Sequence, residues 1–216
     1  MTKYGYSTIG VITVIVFILL AIAILSNNTN LRIPLIIIAV FLFIFTLNFF
    51  RDPERKTPLK DNIVVSPADG KVILIKEVLE EKYIKERCRQ VSIFMSALDV
   101  HVNRIPIDGK VEYVNYIKGD YLVASNDKAS LKNERAEFGI TSEYGKIFFT
   151  QVAGFIARRI IYEINTGDDV SMGKRFGMIK FGSRVDVIVP FNWNVRVRRG
   201  EKVTAGETIL FEYNKQ

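Results

Sequence analysis

The chain has 216 residues, enough for one domain of ordinary size and a small appendage. Its apolar content of 49% and its net charge of +7 coexist because the apolar residues are concentrated in residues 1–50, where Lys3 and Arg32 are the only charged side chains. The single cysteine, Cys88, excludes an intrachain disulfide and a paired-cysteine metal site, fits a reducing compartment and is expected to be a small core residue.

Two apolar runs open the chain, at residues 8–25 and 33–50. Each contains 18 residues, within the range of about 17–25 that an apolar helix needs to cross a bilayer. The short polar link 26–32 predicts the turn of a helical hairpin. A cleaved signal peptide is the alternative for the first run, but the chain has no convincing cleavage site and the second run follows at once. Residues 1–50 are therefore predicted to be a transmembrane hairpin.

Basic residues follow the second run, whereas the hairpin link carries only Arg32. The cluster comprises Arg51, Arg55, Lys56 and Lys60. Because positive residues stay on the cytoplasmic side, we expect both termini and the domain that follows the hairpin to face the cytoplasm at the cell membrane. Residues 51–216 carry a net charge of +5, which favours anionic phospholipid as a partner. Nucleic acid is not expected as a partner, since the sequence contains no recognised nucleic-acid motif.

Residues 51–216 are predicted to form a mainly β domain. Pro53 and Pro58, among charged residues, mark its boundary. Beyond them, short apolar runs are separated by Gly, Pro and Asp, as is typical of strands. The predicted strands lie at residues 64–65, 71–75, 91–95, 109–117, 147–152, 185–189, 195–197 and 208–211. Apolar residues at helical spacing predict one helix over 153–164.

Two sequence patterns refine this fold class. Residues 67–72 are nearly repeated at 106–111, each with an Asp-Gly turn, which predicts two similar hairpins. Residues 197–209 have the spaced glycines and valines of lipoyl- and biotinyl-type modules, but without their Met-Lys-Met carrier site. The likeness therefore concerns architecture, and the expected fold is a β-sandwich or barrel-like domain with lipoyl-like elements.

The dipeptide Gly182-Ser183 directly precedes a strongly alternating apolar segment. In a β-rich chain Gly-Ser usually marks a turn, but this setting also suits self-cleavage, because glycine leaves its carbonyl carbon open to the serine hydroxyl. Acyl transfer from nitrogen to oxygen, followed by β-elimination and hydrolysis, would leave a covalent pyruvoyl group at residue 183. Such a group forms a Schiff base with a substrate amine and takes up electrons as carbon dioxide leaves, as pyridoxal phosphate does elsewhere.

The single histidine, His101, is the candidate base for this attack. A serine hydroxyl needs a base to become a nucleophile, and imidazole exchanges a proton near neutral pH. A carboxylate would orient the ring, and Asp69, Asp99 and Asp108 are candidates between which spacing does not choose. The alternative for His101 is a packed or solvated residue. No metal site is expected.

Several segments resemble phosphatidylserine decarboxylase proenzymes and occur in that family's order. They are Phe-Phe-Arg-Asp-Pro-Glu-Arg at 49–55, Ser-Pro-Ala-Asp-Gly at 66–70, Asp-Val-His-Val-Asn-Arg-Ile-Pro at 99–106, Asn-Glu-Arg at 133–135, Val-Ala-Gly at 152–154 with Ala-Arg-Arg-Ile at 157–160, and Phe-Gly-Ser at 181–183. The resemblance is greatest to the short form of the family, found in archaea and many bacteria. For residues 133–135 a solvated loop is the alternative.

The resemblance implies that Ser183 becomes the pyruvoyl group and Gly182 ends the β chain. The two products, 1–182 and 183–216, would form a heterodimer of β and α chains, and further oligomerisation is left open. The family's usual Leu-Gly-Ser-Thr site is altered here to Phe-Gly-Ser-Arg, with the two reacting residues unchanged.

The resemblance also implies that Asp69 is the aspartate of the family's Asp-His-Ser triad and that His101 is the first histidine of its His-x-x-His segment. The second histidine is replaced by Arg104. Either His101 serves both self-cleavage and decarboxylation, or another group serves one of them. Arg104 is a candidate to bind the substrate carboxylate or phosphate, and its alternative is a surface charge.

The implied reaction converts phosphatidylserine to phosphatidylethanolamine and carbon dioxide in phospholipid biosynthesis. One alternative is the same reaction on the archaeal ether lipid archaetidylserine. Another is a non-enzymatic, membrane-tethered adaptor of the lipoyl-like kind.

Overall fold

A computed structural model describes residues 1–119, 133–154, 160–180 and 183–214. The chain separates into two compact units, Met1–Pro53 and Glu54–Gln216. The first unit consists of a 3-10 turn at Lys3–Gly5 and two helices, α1 at Tyr6–Leu25 and α2 at Thr29–Phe49. Both helices are long and apolar enough to span a membrane, and only 11% of each apolar stretch is buried. These properties indicate membrane association, because such exposed apolar surface is unstable in water.

Two polar side chains within the helices bond to the backbone of the preceding turn. The Thr13 hydroxyl donates to the Ile9 carbonyl at 2.8 Å, and the Thr46 hydroxyl donates to the Leu42 carbonyl at 2.7 Å. The Asn28 side chain caps α2 by accepting from the backbone N–H of Asn30. Such bonds remove the cost of placing a hydroxyl in hydrocarbon.

The described part of the second unit is built from antiparallel strands. They are β1 Ile63–Val65, β2 Gly70–Glu80, β3 Glu86–Met95, β4 Val102–Arg104, β5 Gly109–Ile117, β6 Arg135–Ser142, β7 Gly145–Ala153, β8 Ile160–Tyr162, β9 Asp169–Val170, β10 Arg175–Ile179, β11 Ser183–Pro190, β12 Trp193–Val195, β13 Lys202–Val203 and β14 Ile209–Tyr213. The mainly β class is confirmed, and the lipoyl-like detail stays a prediction.

An eight-stranded sheet in the order β13-β2-β3-β11-β7-β6-β5-β9 carries the core. Two three-stranded sheets, β1-β14-β12 and β4-β10-β8, complete the unit. On β11, Val185, Val187 and Val189 face the core, as their alternation predicts. The Phe138, Phe149 and Phe176 rings pack there with centroids 5.1–5.5 Å apart.

The two Asp-Gly segments begin equivalent strands, as predicted. Gly70 opens β2 and Gly109 opens β5, and each lies against a carbonyl of the next strand. A Cβ atom would come within 2.2 Å of the Phe94 oxygen at Gly70 and 2.3 Å of the Thr141 oxygen at Gly109. Only glycine permits this close approach, so the repeated glycines have a shared packing role.

The likeness of β2 and β5 extends to their neighbours. Both strands carry a bulge, after Val72 in β2 and after Val111 in β5. A two-residue edge strand pairs with each, β13 with β2 and β9 with β5. The edges also match in sequence, since Gly-Glu-Lys-Val-Thr-Ala-Gly at 200–206 parallels Gly-Asp-Asp-Val-Ser-Met-Gly at 167–173. The sheet therefore contains two copies of one strand arrangement, β13-β2-β3 and β9-β5-β6, on either side of β11 and β7.

The predicted helix over 153–164 is wrong where the structure describes it. β7 continues to Ala153, and Ile160–Tyr162 forms β8 against β10. Residues 155–159 lie outside the described residues. The helical spacing failed because pairing with β10 determines the backbone here, and sheet pairing overrides a local pattern.

Sequence patterns also missed several strands, namely β4, β6, β8, β9, β10 and β13. Four of them have only two or three residues, too few to show a period of two. The predicted core position of Cys88 is confirmed, since its side chain is fully buried. Burial, with the nearby Glu86 and Glu80 carboxylates, raises the pKa of this thiol to about 12.

Candidate active site

Ser183 is the first residue of β11, the strand between β3 and β7. It lies opposite Met95 on one side and Ala153 on the other, and it is fully buried. Its hydroxyl donates to the Met95 sulfur at 3.2 Å. A thioether is a weak acceptor, so this contact leaves the hydroxyl easy to redirect. Gly182 lies outside the described residues.

The backbone of Ser183 is bonded on the β3 side. Ala153 donates its N–H to the Glu134 carbonyl at 2.9 Å, so the polar backbone groups of Ala153 point away from β11. Because bonded and non-bonded pairs alternate along antiparallel strands, the Ser183 N–H and C=O pair with the C=O and N–H of Met95. The central sheet therefore fixes both backbone groups of the serine.

His101 immediately precedes β4 and is fully buried. Its Nδ1 lies 2.9 Å from the backbone oxygen of Asp99. Since a carbonyl can only accept, Nδ1 carries the proton, and Nε2 is the basic nitrogen of the neutral ring. The Asp99 carboxylate accepts from the N–H and hydroxyl of Ser96, both at 2.7 Å. Thus the carbonyl of Asp99, not its carboxylate, orients Nδ1.

Strand β4 connects the His101 segment to the surroundings of Ser183. The Asn103 amide nitrogen donates to the Pro67 carbonyl at 3.3 Å and lies 3.8 Å from the Met95 sulfur. The backbone N–H of Arg104 also donates to the Pro67 carbonyl, at 2.9 Å. Met95 therefore contacts both Ser183 and the strand that follows His101.

Asp69 lies two residues after Pro67, and each oxygen of its carboxylate accepts a hydrogen bond. Oδ1 accepts from the backbone N–H of Ala205 at 2.7 Å, and Oδ2 accepts from Arg55 Nη2 at 2.7 Å. The Arg55 and Asp69 side chains are only 15% and 16% exposed, so this charge-assisted bond is partly protected from water. Arg55, one of the basic residues that follow the second apolar run, therefore also forms an ion pair within the domain.

Asp108 is the counterpart of Asp69 in the repeated strand arrangement. Its Oδ1 accepts from the backbone N–H of Met172 at 2.7 Å, just as Asp69 accepts from Ala205. Asp108 lies 39 positions after Asp69 in the repeat, and the ion pair with Arg55 distinguishes Asp69 from it. One oxygen of Asp69 thus has a shared turn-forming role, and the other has a contact of its own.

Arg104 is buried, so the surface-charge alternative is wrong. Only 5% of it is exposed. Its Nη1 donates to the Gly173 carbonyl at 2.8 Å. This bond ties β4 to the turn before β10.

The solvated-loop alternative for residues 133–135 is also wrong. Asn133 is fully buried and donates to the Ala153 carbonyl at 2.7 Å. The Glu134 carboxylate, also buried, accepts from the Tyr116 hydroxyl at 2.6 Å. These residues support Ala153, which is the β7 neighbour of Ser183.

Sequence reasoning missed four buried polar residues around Ser183, namely Asn103, Gln151, Arg184 and Asp186. Arg184 Nε donates to Asp186 Oδ1 at 2.6 Å, and its Nη2 donates to the Ser92 hydroxyl at 2.9 Å. Alternation places this ion pair on the sheet face opposite the Ser183 hydroxyl. Opposite charges two residues apart in an apolar strand were the available signal.

Comparison with known proteins agrees with the resemblance seen in the sequence. The family model described as phosphatidylserine decarboxylase matches residues 42–211. Relatives named phosphatidylserine decarboxylase proenzyme include that of Chlorobium phaeobacteroides (strain DSM 266), 48% identical over 78% of this chain and 79% of the relative. That of Chlorobaculum tepidum is 48% identical over 76% of each chain, and that of Salinibacter ruber is 50% identical over 76% of this chain and 74% of the relative. The chain therefore belongs to the phosphatidylserine decarboxylase family.

Proposed function

We propose that this protein decarboxylates phosphatidylserine to phosphatidylethanolamine in membrane phospholipid synthesis. The observation that carries the proposal is the position of Ser183, buried at the start of the central strand beside Met95 and the segments that contain His101 and Asp69. Relatives named proenzymes support a chain that is processed before it acts.

Processing occurs by self-cleavage between Gly182 and Ser183. His101 Nε2 takes the proton of the Ser183 hydroxyl, which attacks the Gly182 carbonyl carbon. Asp69 is assigned to the triad by the family resemblance, and its charge would favour the protonated ring, since the Asp99 carbonyl already binds Nδ1. The products are a β chain, 1–182, and an α chain, 183–216, which stay together as a heterodimer. Strand β11 supports this, because the α chain contributes it to the middle of the eight-stranded sheet, where burial on both sides retains it.

The surroundings of Ser183 fit a covalent pyruvoyl group. The side chain of residue 183 is fully buried, and its neighbours are the Met95 sulfur and the small Ala153 side chain. Once formed, the group supplies a ketone for the substrate amine and an adjacent carbonyl that withdraws electrons as carbon dioxide leaves. The Met95 N–H donates to that adjacent carbonyl, which is the backbone carbonyl of residue 183.

The protein's own residues divide the remaining work. His101 holds or moves a proton at Nε2 during decarboxylation as well as during cleavage, since the chain has no second histidine. Binding of the substrate carboxylate or phosphate by Arg104 stays a prediction. Its guanidinium donates to the Gly173 carbonyl, which fixes it beside the turn before β10.

The nearest alternative substrate is archaetidylserine, which differs from phosphatidylserine in its ether-linked lipid tails. Purified full-length protein should release carbon dioxide from phosphatidylserine in mixed micelles, as the names of the relatives support. Archaetidylserine presents the same headgroup and is the matched substrate. Release from archaetidylserine alone would move the substrate to the ether lipid. An intact, folded chain that releases carbon dioxide from neither lipid would favour the adaptor alternative.

We further propose that residues 54–216 face the cytoplasm at the cell membrane. Support comes from the basic residues after α2, compared with the single Arg32 near the hairpin turn. A fluorescent reporter that folds only in the cytoplasm should be active when it is fused after Gln216. The Ser183→Ala chain is used for this fusion because it stays intact, so the reporter remains attached to the two helices. The same reporter inserted at Asn28, between the helices, should be inactive. The reverse pattern would overturn the orientation.

A further inference from the structure

Gln151 lies on β7 and is fully buried. Its Nε2 donates to the Asn103 Oδ1 at 2.8 Å. Among the residues that the structure describes, its Oε1 is buried and accepts no hydrogen bond. A buried acceptor without a donor destabilises the fold, so its presence calls for a physical reason.

The neighbouring contacts determine which atom of Gln151 is the oxygen. The Pro67 carbonyl can only accept, so the Asn103 nitrogen must face it. Asn103 therefore turns its oxygen toward Gln151, and Gln151 must donate to it through its side-chain nitrogen. The atom left over is an oxygen, and the vacant position can be filled only by a donor.

Gln151 lies on the same sheet face as the Ser183 side chain. Ala153 pairs with Ser183 and Gln151 pairs with Val185, so Gln151 is the diagonal neighbour of Ser183 across the sheet. Diagonal neighbours lie about 7–8 Å apart, within reach of a long side chain. A series of contacts also links the two residues. Gln151 donates to Asn103, the Asn103 amide nitrogen lies against the Met95 sulfur, and that sulfur accepts from the Ser183 hydroxyl.

Self-cleavage creates a new donor at Ser183. The bond from Ser183 Oγ to the Gly182 carbonyl carbon forms, the bond from that carbon to the Ser183 nitrogen breaks, and the hydroxyl proton passes to the nitrogen. The amide nitrogen had one N–H, which pairs with the Met95 carbonyl. The freed amine has at least two, so one N–H needs a further acceptor.

We propose that Gln151 Oε1 accepts this new N–H and thereby stabilises the ester form of the chain. The inference rests on the self-cleavage proposed above. Exchange of an amide for an ester is unfavourable in an ordinary peptide, because the ester lacks amide resonance. Filling an unsatisfied buried acceptor offsets part of that cost. Gln151 is thus a residue of maturation that contacts the reacting nitrogen.

The test measures the ester directly. Hydroxylamine cleaves esters and leaves amides, so it converts the ester form into an α chain that begins with free Ser183. Full-length Gln151→Met protein keeps the length and shape of the side chain but lacks a strong acceptor, and it also lacks the N–H that donates to Asn103. We expect its hydroxylamine-dependent cleavage and its rate of maturation to fall about tenfold, the effect of losing one buried hydrogen bond. Gln151→Glu, which burial keeps protonated, can donate its O–H to Asn103 Oδ1 and retains an acceptor oxygen, so it should restore the ester fraction to that of the unaltered protein.

Thr150 supplies a matched control. It adjoins Gln151 on β7, is 7% exposed, and its hydroxyl also has no partner among the described residues, but it faces the other side of the sheet. Thr150→Val should mature at the normal rate, which separates an effect at Ser183 from a general effect of altering β7.

The outcomes separate the inference from the function on which it rests. If the unaltered protein forms neither ester nor two chains, the proposed self-cleavage fails. If it forms both and folded Gln151→Met has an unchanged ester fraction, the role of Gln151 is refuted. Thermal unfolding establishes that the variants are folded. If Gln151→Met does not fold, Gln151→Glu decides, and loss of its ester fraction overturns the inference.

Discussion

Replacement of Ser183 by alanine is expected to leave a single chain of 216 residues without decarboxylase activity. Alanine lacks the hydroxyl that attacks Gly182, so neither the two chains nor the pyruvoyl group can form. The side chain is buried at the start of β11, where the smaller alanine fits without distortion. A denaturing gel and an assay of carbon dioxide release measure the two losses, and both should be complete.

The unaltered protein should give an α chain of 34 residues, 183–216. This chain should resist N-terminal sequencing, because a pyruvoyl group has no amine, and its mass should show the nitrogen of serine replaced by a keto oxygen. Ser92→Ala is a suitable control. Ser92 is equally buried on the neighbouring strand, but its hydroxyl contacts Arg184 on the other sheet face. A free serine at the new end of the α chain would mean that the cut leaves no pyruvoyl group.

Replacement of His101 by alanine should block maturation, with a loss of about 10²–10⁴-fold in rate, the usual contribution of a general base. The chain has no other histidine, and the Asp99 carbonyl already fixes Nδ1 so that Nε2 is the basic nitrogen. The time course of chain splitting after synthesis measures the rate. A His101→Ala chain that splits at the normal rate would assign the base to another group and limit His101 to decarboxylation or structure.

Asp69 and Asp108 form a matched pair for the same experiment. Both carboxylates accept a backbone N–H in equivalent turns, but only Asp69 is assigned to the triad. Asp69→Asn should therefore slow or stop splitting, and Asp108→Asn should leave it near normal. Equal slowing in the two variants would show that the shared turn, not catalysis, accounts for the effect.

Local sequence patterns determined much of this protein. Hydropathy over 8–25 and 33–50 predicted the two helices, and the alternation of Val185, Val187 and Val189 predicted β11. The repeated Asp-Gly pairs predicted the equivalent starts of β2 and β5. These features succeed because a helix, a strand and a tight turn each depend on residues within one short segment. Gly182-Ser183 was recognisable for the same reason, as a dipeptide directly before a strand.

The tertiary structure decided what surrounds Ser183. Met95 contacts Ser183 across 88 positions of sequence, and Gln151 contacts Asn103 across 48. Neither contact follows from a periodicity, because strand pairing and the packing of β4 bring these residues together. The burial of Arg104 and the strand at Ile160–Tyr162 have the same origin, since β10 pairs with both β4 and β8. The sequence thus pointed to Ser183 as the residue proposed to react, and long-range pairing determined which groups contact it, because strands that pair in a sheet can lie far apart in the sequence.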